Sequence, residues 1–222
     1  MRYFWLYILG LTIGVVIACS YYVYVNGSKL PAVTTKPSVA PTETGTYSIE
    51  EAPAKSLKGS IASQSGSFLF ESRTATRAGE LKDIKTVQQG ERFITGSSST
   101  ATLVFEKVDS VELSENTDIS FIQTLPTNFV VEQKNGRAKY TVTGVIPVSI
   151  RIRSAVITKN CSGSLQIEMT DGDSIVLIST ISGDAKIGFN DLDYVSQVFT
   201  LRSGEVYEYN SDERTTINIK NK

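Results

Sequence analysis

Residues Tyr3 to Val25 form one uncharged, mostly apolar run behind Met1 and Arg2, and no other feature constrains the chain as strongly. At about 1.5 Å per residue a helix of this length reaches about 34 Å, slightly more than the hydrocarbon core of a bilayer. The run therefore reads as an N-terminal membrane anchor over residues 1–26. Trp5, Tyr3 and Tyr7 near one end and Tyr21, Tyr22 and Tyr24 near the other resemble the aromatic belts of spanning helices. Arg2 places the amino terminus in the cytoplasm by the positive-inside rule, and everything after Asn26 on the extracytoplasmic side. A second reading is open. Val16-Ile17-Ala18-Cys19 fits the lipobox of a bacterial lipoprotein, in which Cys19 is lipidated and becomes the new N-terminus. The apolar run continues beyond it through Tyr21–Val25 and so outlasts a usual signal h-region, which favours the retained helix.

Composition excludes several chemistries. The 222-residue chain has a formal net charge of −1, so it carries no electrostatic footprint for nucleic acid. It contains no histidine, which removes Ser-His-Asp, Cys-His and histidine-metal sites together. Its two cysteines, Cys19 and Cys161, fall on the anchor and beyond it, so no disulfide framework is expected. Cys161 reads as a small, buried, hydrophobe-like residue rather than a nucleophile, because no histidine is present to activate it.

Residues 27–57 are rich in Pro, Thr and Ser without a sustained period, and read as a disordered tether. The pattern then changes. Thr100–Phe105 alternates with Ala101, Leu103 and Phe105 on one face. Val148–Arg153 sets Ile150 and Ile152 against Arg151 and Arg153, and Leu165–Thr170 sets Leu165, Ile167 and Met169 inward. Ser174–Ile178 is apolar on both faces and reads as a central strand. Turn signals separate these runs: Gly90-Glu91, Thr95-Gly96, Asp171-Gly172, Ser182-Gly183 and Ser203-Gly204. Asn135-Gly136, between Phe129–Gln133 and Arg137–Val142, is the strongest hairpin signal in the chain. No helical period appears after Asn26. Short strands at roughly ten-residue spacing predict an all-β domain, β-solenoid-like or β-sandwich-like, over residues 58–210. Residues 211–222 form a polar tail in which Thr215–Lys220 has the pattern of a last edge strand. Lys134, Lys139, Arg151 and Arg153 suit either edge protection or a solvated face.

The order of these pieces resembles the extracytoplasmic domain of the FecR family. The matches are Gly90-Glu-Arg-Phe-Ile-Thr-Gly96, Ser97–Phe105, Asp109–Leu113, Asn116–Phe121, Val148–Arg153, Ile181–Ile187 and Val198–Glu205, with Gly90–Leu113 the most specific. The family's Asp-Gly-Ser turn is Lys107-Val108-Asp109-Ser110 here, without glycine, and Asn160-Cys161-Ser162-Gly163 occupies the place of its later Arg-Gly-Thr turn. The resemblance implies the fold and the compartment. It implies sigma-factor regulation less, since Met1-Arg2 leaves no room for a cytoplasmic sigma-binding segment and the chain has none of the family's further receptor-contacting domain.

Asp171-Gly172-Asp173 and Asp191-Leu192-Asp193 read as turn and loop rather than calcium ligands, and no P-loop, nucleophile elbow or Ser-x-x-Lys occurs. No catalytic, metal or cofactor residue is expected. The expected role is a non-catalytic, membrane-tethered binding or scaffold module of the cell envelope, whose partner is an envelope protein or a cell-wall glycan. The alternative is a regulator of transmembrane signalling, of sigma/anti-sigma type, working through a separate membrane partner. The two anchor readings separate on one measurement. With a retained helix, Cys19→Ser leaves membrane association and electrophoretic mobility unchanged. Strong labelling by a palmitate analogue that Cys19→Ser abolishes would establish the lipoprotein instead.

Overall fold

Strand follows strand with no helix between them in the computed structural model, which describes residues 52–80 and 86–219. The anchor, most of the tether and Lys220–Lys222 lie outside the described residues. Among the described residues no helix is long and apolar enough to cross a membrane. In chain order the strands are β1 Gly59–Ser65, β2 Phe68–Glu71, β3 Gly79–Glu80, β4 Thr86–Val87, β5 Arg92–Thr95, β6 Thr100–Phe105, β7 Asp109–Leu113, β8 Asp118–Leu125 and β9 Asn128–Val142. They continue as β10 Val148–Ile152, β11 Ala155–Lys159, β12 Gly163–Met169, β13 Ile175–Thr180, β14 Ala185–Asn190, β15 Ser196–Leu201, β16 Val206–Asn210 and β17 Thr215–Asn218.

Hydrogen bonding joins them into one sheet that folds into two layers through β9. The first layer runs β4-β1-β6-β7-β9-β12-β13-β16-β17 and the second β3-β2-β5-β8-β9-β10-β11-β14-β15. Every pairing is antiparallel except β9 with β10. Rings meet across the gap between layers. Phe105 of β6 lies 5.1 Å from Phe121 of β8 and 4.9 Å from Phe129 of β9, and Phe189 of β14 lies 5.1 Å from Tyr209 of β16. Aromatic pairs at such separations add to the burial of their apolar area.

The alternation that predicted β6, β10 and β12 holds: Ala101, Leu103, Phe105, Ile150, Ile152, Leu165, Ile167 and Met169 are buried. Two expectations are corrected. β13 is flanked on both sides, by β12 and β16, but Leu177 on its outer face is exposed, because among the described residues no third layer covers the sheet. Asn135-Gly136 is no hairpin. It sits inside the 15-residue β9, whose first half pairs with β8 and β10 in the second layer and whose second half pairs with β7 and β12 in the first. Buried positions change parity there, from Phe129, Val131 and Gln133 to Ala138, Tyr140 and Val142. Gly136 adopts φ +82°, and a Cβ on it would come within 2.4 Å of the Thr117 Cα. The same left-handed freedom that makes Asn-Gly a tight turn here bends one strand around the corner between layers.

The four cations named as edge guards or solvated-face residues are not on edges. Lys134 and Lys139 lie on β9 and Arg151 on β10, strands flanked on both sides, while Arg153 is in the turn after β10. Lys139 pairs with Glu112 at 2.8 Å across β7 and β9. The structure thus places them on solvated faces, where paired charges suit the outward side of a two-layer stack.

Phe105 is 1% exposed, and the ring fills the space that a Cβ at Gly59 would need. Phe105→Ala is expected to cost about 3–5 kcal/mol, as large aromatic truncations in packed cores do. Thr102→Ala, on the outer face of the same strand, is expected to cost well under half of that. Urea midpoints of the two variants check the register, and equal midpoints would refute it.

A polar trough on the outer face of the second layer

The corner in β9 creates a concavity. Outward side chains of β5, β8 and the first half of β9 line a trough of about 700 Å³, closed at one rim by the turns that follow β10 and β12. Ile94 and the buried Thr95 and Gln133 contribute to its lining, together with Arg92, Asp118 and Lys134. Two smaller depressions share lining residues with it. One of about 240 Å³ shares Arg92, Glu132 and Lys134, and one of about 250 Å³ shares Asn116 and Asn135.

Strand register explains the charges. Arg92 on β5 stands opposite Glu71 on β2, while Asp118 on β8 is the neighbour of Ile94 two residues along. The Arg92 guanidinium therefore spans three strands. Nε donates to Asp118 Oδ1 at 2.7 Å, Nη2 to Asp118 Oδ2 at 2.5 Å and Nη1 to Glu71 Oε2 at 3.0 Å. This fork-to-carboxylate geometry is the strong form of an ion pair, and the hydrogen bonds that Arg92 donates to Asp118 hold it more firmly protonated than usual. Lys134 and Glu132 are held more loosely, at 3.9 Å. Arg153, with φ +46°, donates from Nη2 to the carbonyls of Thr170 at 3.1 Å and Asp173 at 3.2 Å, and so ties the two rim turns together.

Buried polar groups hold the corner beneath the trough. Gln133 donates from Nε2 to the carbonyls of Gly136 at 2.9 Å and Ile167 at 3.2 Å, and its Oε1 accepts from the Tyr140 hydroxyl at 3.0 Å. Burial raises the Tyr140 pKa, so it stays a neutral donor. Thr95 Oγ1 donates to the Ser114 carbonyl at 2.6 Å and accepts from the Thr117 amide at 2.8 Å, and Thr117 Oγ1 donates to the Arg137 carbonyl at 2.9 Å. Two polar atoms beside these depressions are buried without a hydrogen-bond partner: Asn135 Oδ1 and Arg73 Nη1. Such groups are costly in a low-dielectric setting.

The residues weighed from the sequence are dispersed. Asp171 lies on the trough rim, while Asp173 caps its own turn by accepting the Ile175 amide at 3.0 Å. Asp191 organises the loop after β14, accepting from the amides of Asp193 and Val195. Cys161 corrects the expectation of burial: it is exposed in the turn between β11 and β12 and donates to the Asp184 carbonyl at 3.1 Å. That turn carries it past the end of β11, whose last residue, Lys159, is the buried one. Lys159 Nζ donates to the carbonyls of Ser182 at 2.8 Å and Asp184 at 3.3 Å, and burial lowers its pKa. The trough itself escaped the sequence reading. Its one legible sign is Gln133, a polar residue on the inward parity after Phe129 and Val131.

Glu91 lines the 240 Å³ depression and accepts the Gln88 amide at 2.6 Å. Burial raises its pKa, outweighing that hydrogen bond and the nearby Arg73, both of which lower it. The folded state then binds the Glu91 proton more tightly than the unfolded state does. Its contribution to stability is present below the ordinary carboxylate range and is lost as pH rises through the raised value. Relative to Glu91→Gln, the wild-type Tm is expected to fall as pH rises from 3.5 to 7.5. A difference that stays flat, or runs the other way, would contradict the burial.

No protein-family model and no curated protein matches the chain. Two solved structures resemble its fold, both described as a "putative anti-sigma factor" from Parabacteroides distasonis. One, at 2.50 Å resolution, is 16% identical with a TM-score of 0.49, and the other, at 1.65 Å, is 15% identical with the same score. Each match covers 57% of this chain and 58% of the other.

Proposed function

We propose that this is a non-catalytic binding module, FecR-like in layout and tethered to the extracytoplasmic side of a membrane by its N-terminal run, that uses the trough to hold an extended segment of an envelope protein. The trough carries the reading. Small-molecule sites are mostly apolar with a few polar anchors. This lining is the reverse, with opposite charges interspersed along a rigid sheet face. Mixed charges of this kind set register and specificity at protein surfaces. A cell-wall glycan fits less well, because the lining of the 700 Å³ trough includes no aromatic ring on which a sugar would stack. A regulator of transmembrane signalling acting through a separate membrane partner would use the same surface, and the module proposed here is compatible with that role.

The test is site-specific photo-crosslinking in cells with the full chain. A photoreactive residue at Asn116 or Asp171 is expected to give a defined adduct that protease removes. The same residue at Thr102, on the outer face of the first layer, is expected to give none. Lys134→Glu combined with Arg153→Glu is expected to cut the adduct at least fivefold without lowering Tm by more than a few degrees. An adduct released by muramidase instead of protease would replace the protein partner with a glycan. Equal adducts at all three positions would remove the trough from the proposal.

A further inference from the structure

The second layer ends at β15, four strands beyond β9 in its hydrogen-bonded order. Both layers are open at this end, and they are finished differently. Among the described residues the four terminal strands are β3 and β4 with two residues each, β17 with four and β15 with six. β15 reads Ser-Gln-Val-Phe-Thr-Leu, with no charge and no proline. Sheet proteins ordinarily blunt a terminal strand with charge, proline, a bulge or brevity, because its outer row of amides and carbonyls invites another strand. β15 has none of these devices.

The side chains say the same. Phe199 pairs with the buried Ile187 and so faces the gap between layers, where it stacks on Phe189 with centroids 5.8 Å apart. It is nevertheless 40% exposed, because among the described residues no strand lies beyond it. On the outer face Val198 is 68% exposed. The loop leading into β15 adds Leu192, Tyr194 and Val195, all exposed. This loop is held in place. Asp191 accepts from the Val195 amide at 2.9 Å and the Gln197 side chain at 2.8 Å, and Arg214 donates to the Asp191 carbonyl and lies over the Tyr194 ring at 5.8 Å. Tyr194 takes φ +62°, a conformation unfavourable for a bulky residue. The apolar groups are presented by an ordered hairpin.

We infer that β15 is a dimerisation edge, pairing antiparallel with β15 of a second copy of this chain about a two-fold axis normal to the second layer. The occupant must supply an uncharged strand edge of equal length, and the chain itself carries one, as an isologous contact requires. Such an axis matches residues of the same parity. Centred on Val198, it sets Val198 against Val198, Phe199 against Gln197 and Ser196 against Thr200, and extends the layer over Phe199. Charge fits this direction too. Asp193 and Arg202, both exposed, flank β15 at opposite ends, so antiparallel pairing brings Asp193 of one copy beside Arg202 of the other. Parallel pairing would set like charges together.

The full chain in mild detergent, followed by light scattering across a concentration series, is expected to show a dimer. Val198→Lys is expected to weaken dimerisation at least tenfold, and Ile217→Lys on the neighbouring terminal strand less than twofold, with Tm recorded for both. With Cys19 and Cys161 changed to serine, Val198→Cys is expected to form an oxidation-dependent covalent dimer and Thr102→Cys none. Arg202→Asp is expected to weaken the dimer, and Asp193→Arg added to it to restore the dimer. A monomer at every concentration would overturn the inference. So would a dimer that survives Val198→Lys with no crosslink from Val198→Cys, which would place the association elsewhere. Recovery of β15 paired with a different protein's strand would equally replace the second copy.

Discussion

One strand has to belong to two layers for this protein to fold as it does. β9 enters in the second layer, bends at Asn135-Gly136 and leaves in the first, so every other strand is placed by reference to it. The bend has two requirements. A backbone position must accept a left-handed φ with no Cβ, which Gly136 supplies. The inward parity must also shift, or Ala138, Tyr140 and Val142 would point to solvent.

A corner interrupts ladder hydrogen bonds, and buried backbone groups tolerate few unpaired members. Side chains take up the difference. The Gln133 amide reaches two carbonyls and the Tyr140 hydroxyl, and Thr95 and Thr117 bind backbone groups from Ser114 to Arg137. The trough is the solvent-side consequence of the same geometry. Strands that turn away from a flat layer leave a concave outer face, and the charges standing on it are organised by cross-strand register, with Arg92 shared between Glu71 and Asp118. A surface built this way is stiff. Arg153 clamps two turns at its rim, so a bound segment meets groups already in position, which lowers the ordering cost of association.

The two-layer stack has an interior and two open ends. At β15 the interior is not sealed: Phe189 and Phe199 continue the core outward until it meets water. The same hydrophobic alternation that drives the layers together thus leaves an unfinished edge where the described residues supply no further strand. The trough and the β15 edge lie on different parts of the second layer and offer different forces, charge-ordered hydrogen bonds in one case and strand addition with apolar burial in the other.

The all-β class, strands such as Thr100–Phe105 and Val148–Ile152, and the inward set Leu103, Phe105, Ile150 and Ile167 were legible in the sequence. Period-2 alternation is a local property, and a strand with one face buried has only one register that satisfies it. Long-range placement decided the rest. Asn135-Gly136 suits a hairpin and a corner equally well, since both need only a left-handed glycine, and pairing partners far along the chain select the corner. Leu177 is as apolar as its buried neighbours and is exposed because none of the described residues lies over it in a further layer. The trough has no motif at all. Glu71, Arg92 and Asp118 are far apart in sequence and meet through the registers of three strands, and those registers exist only once the sheet has formed.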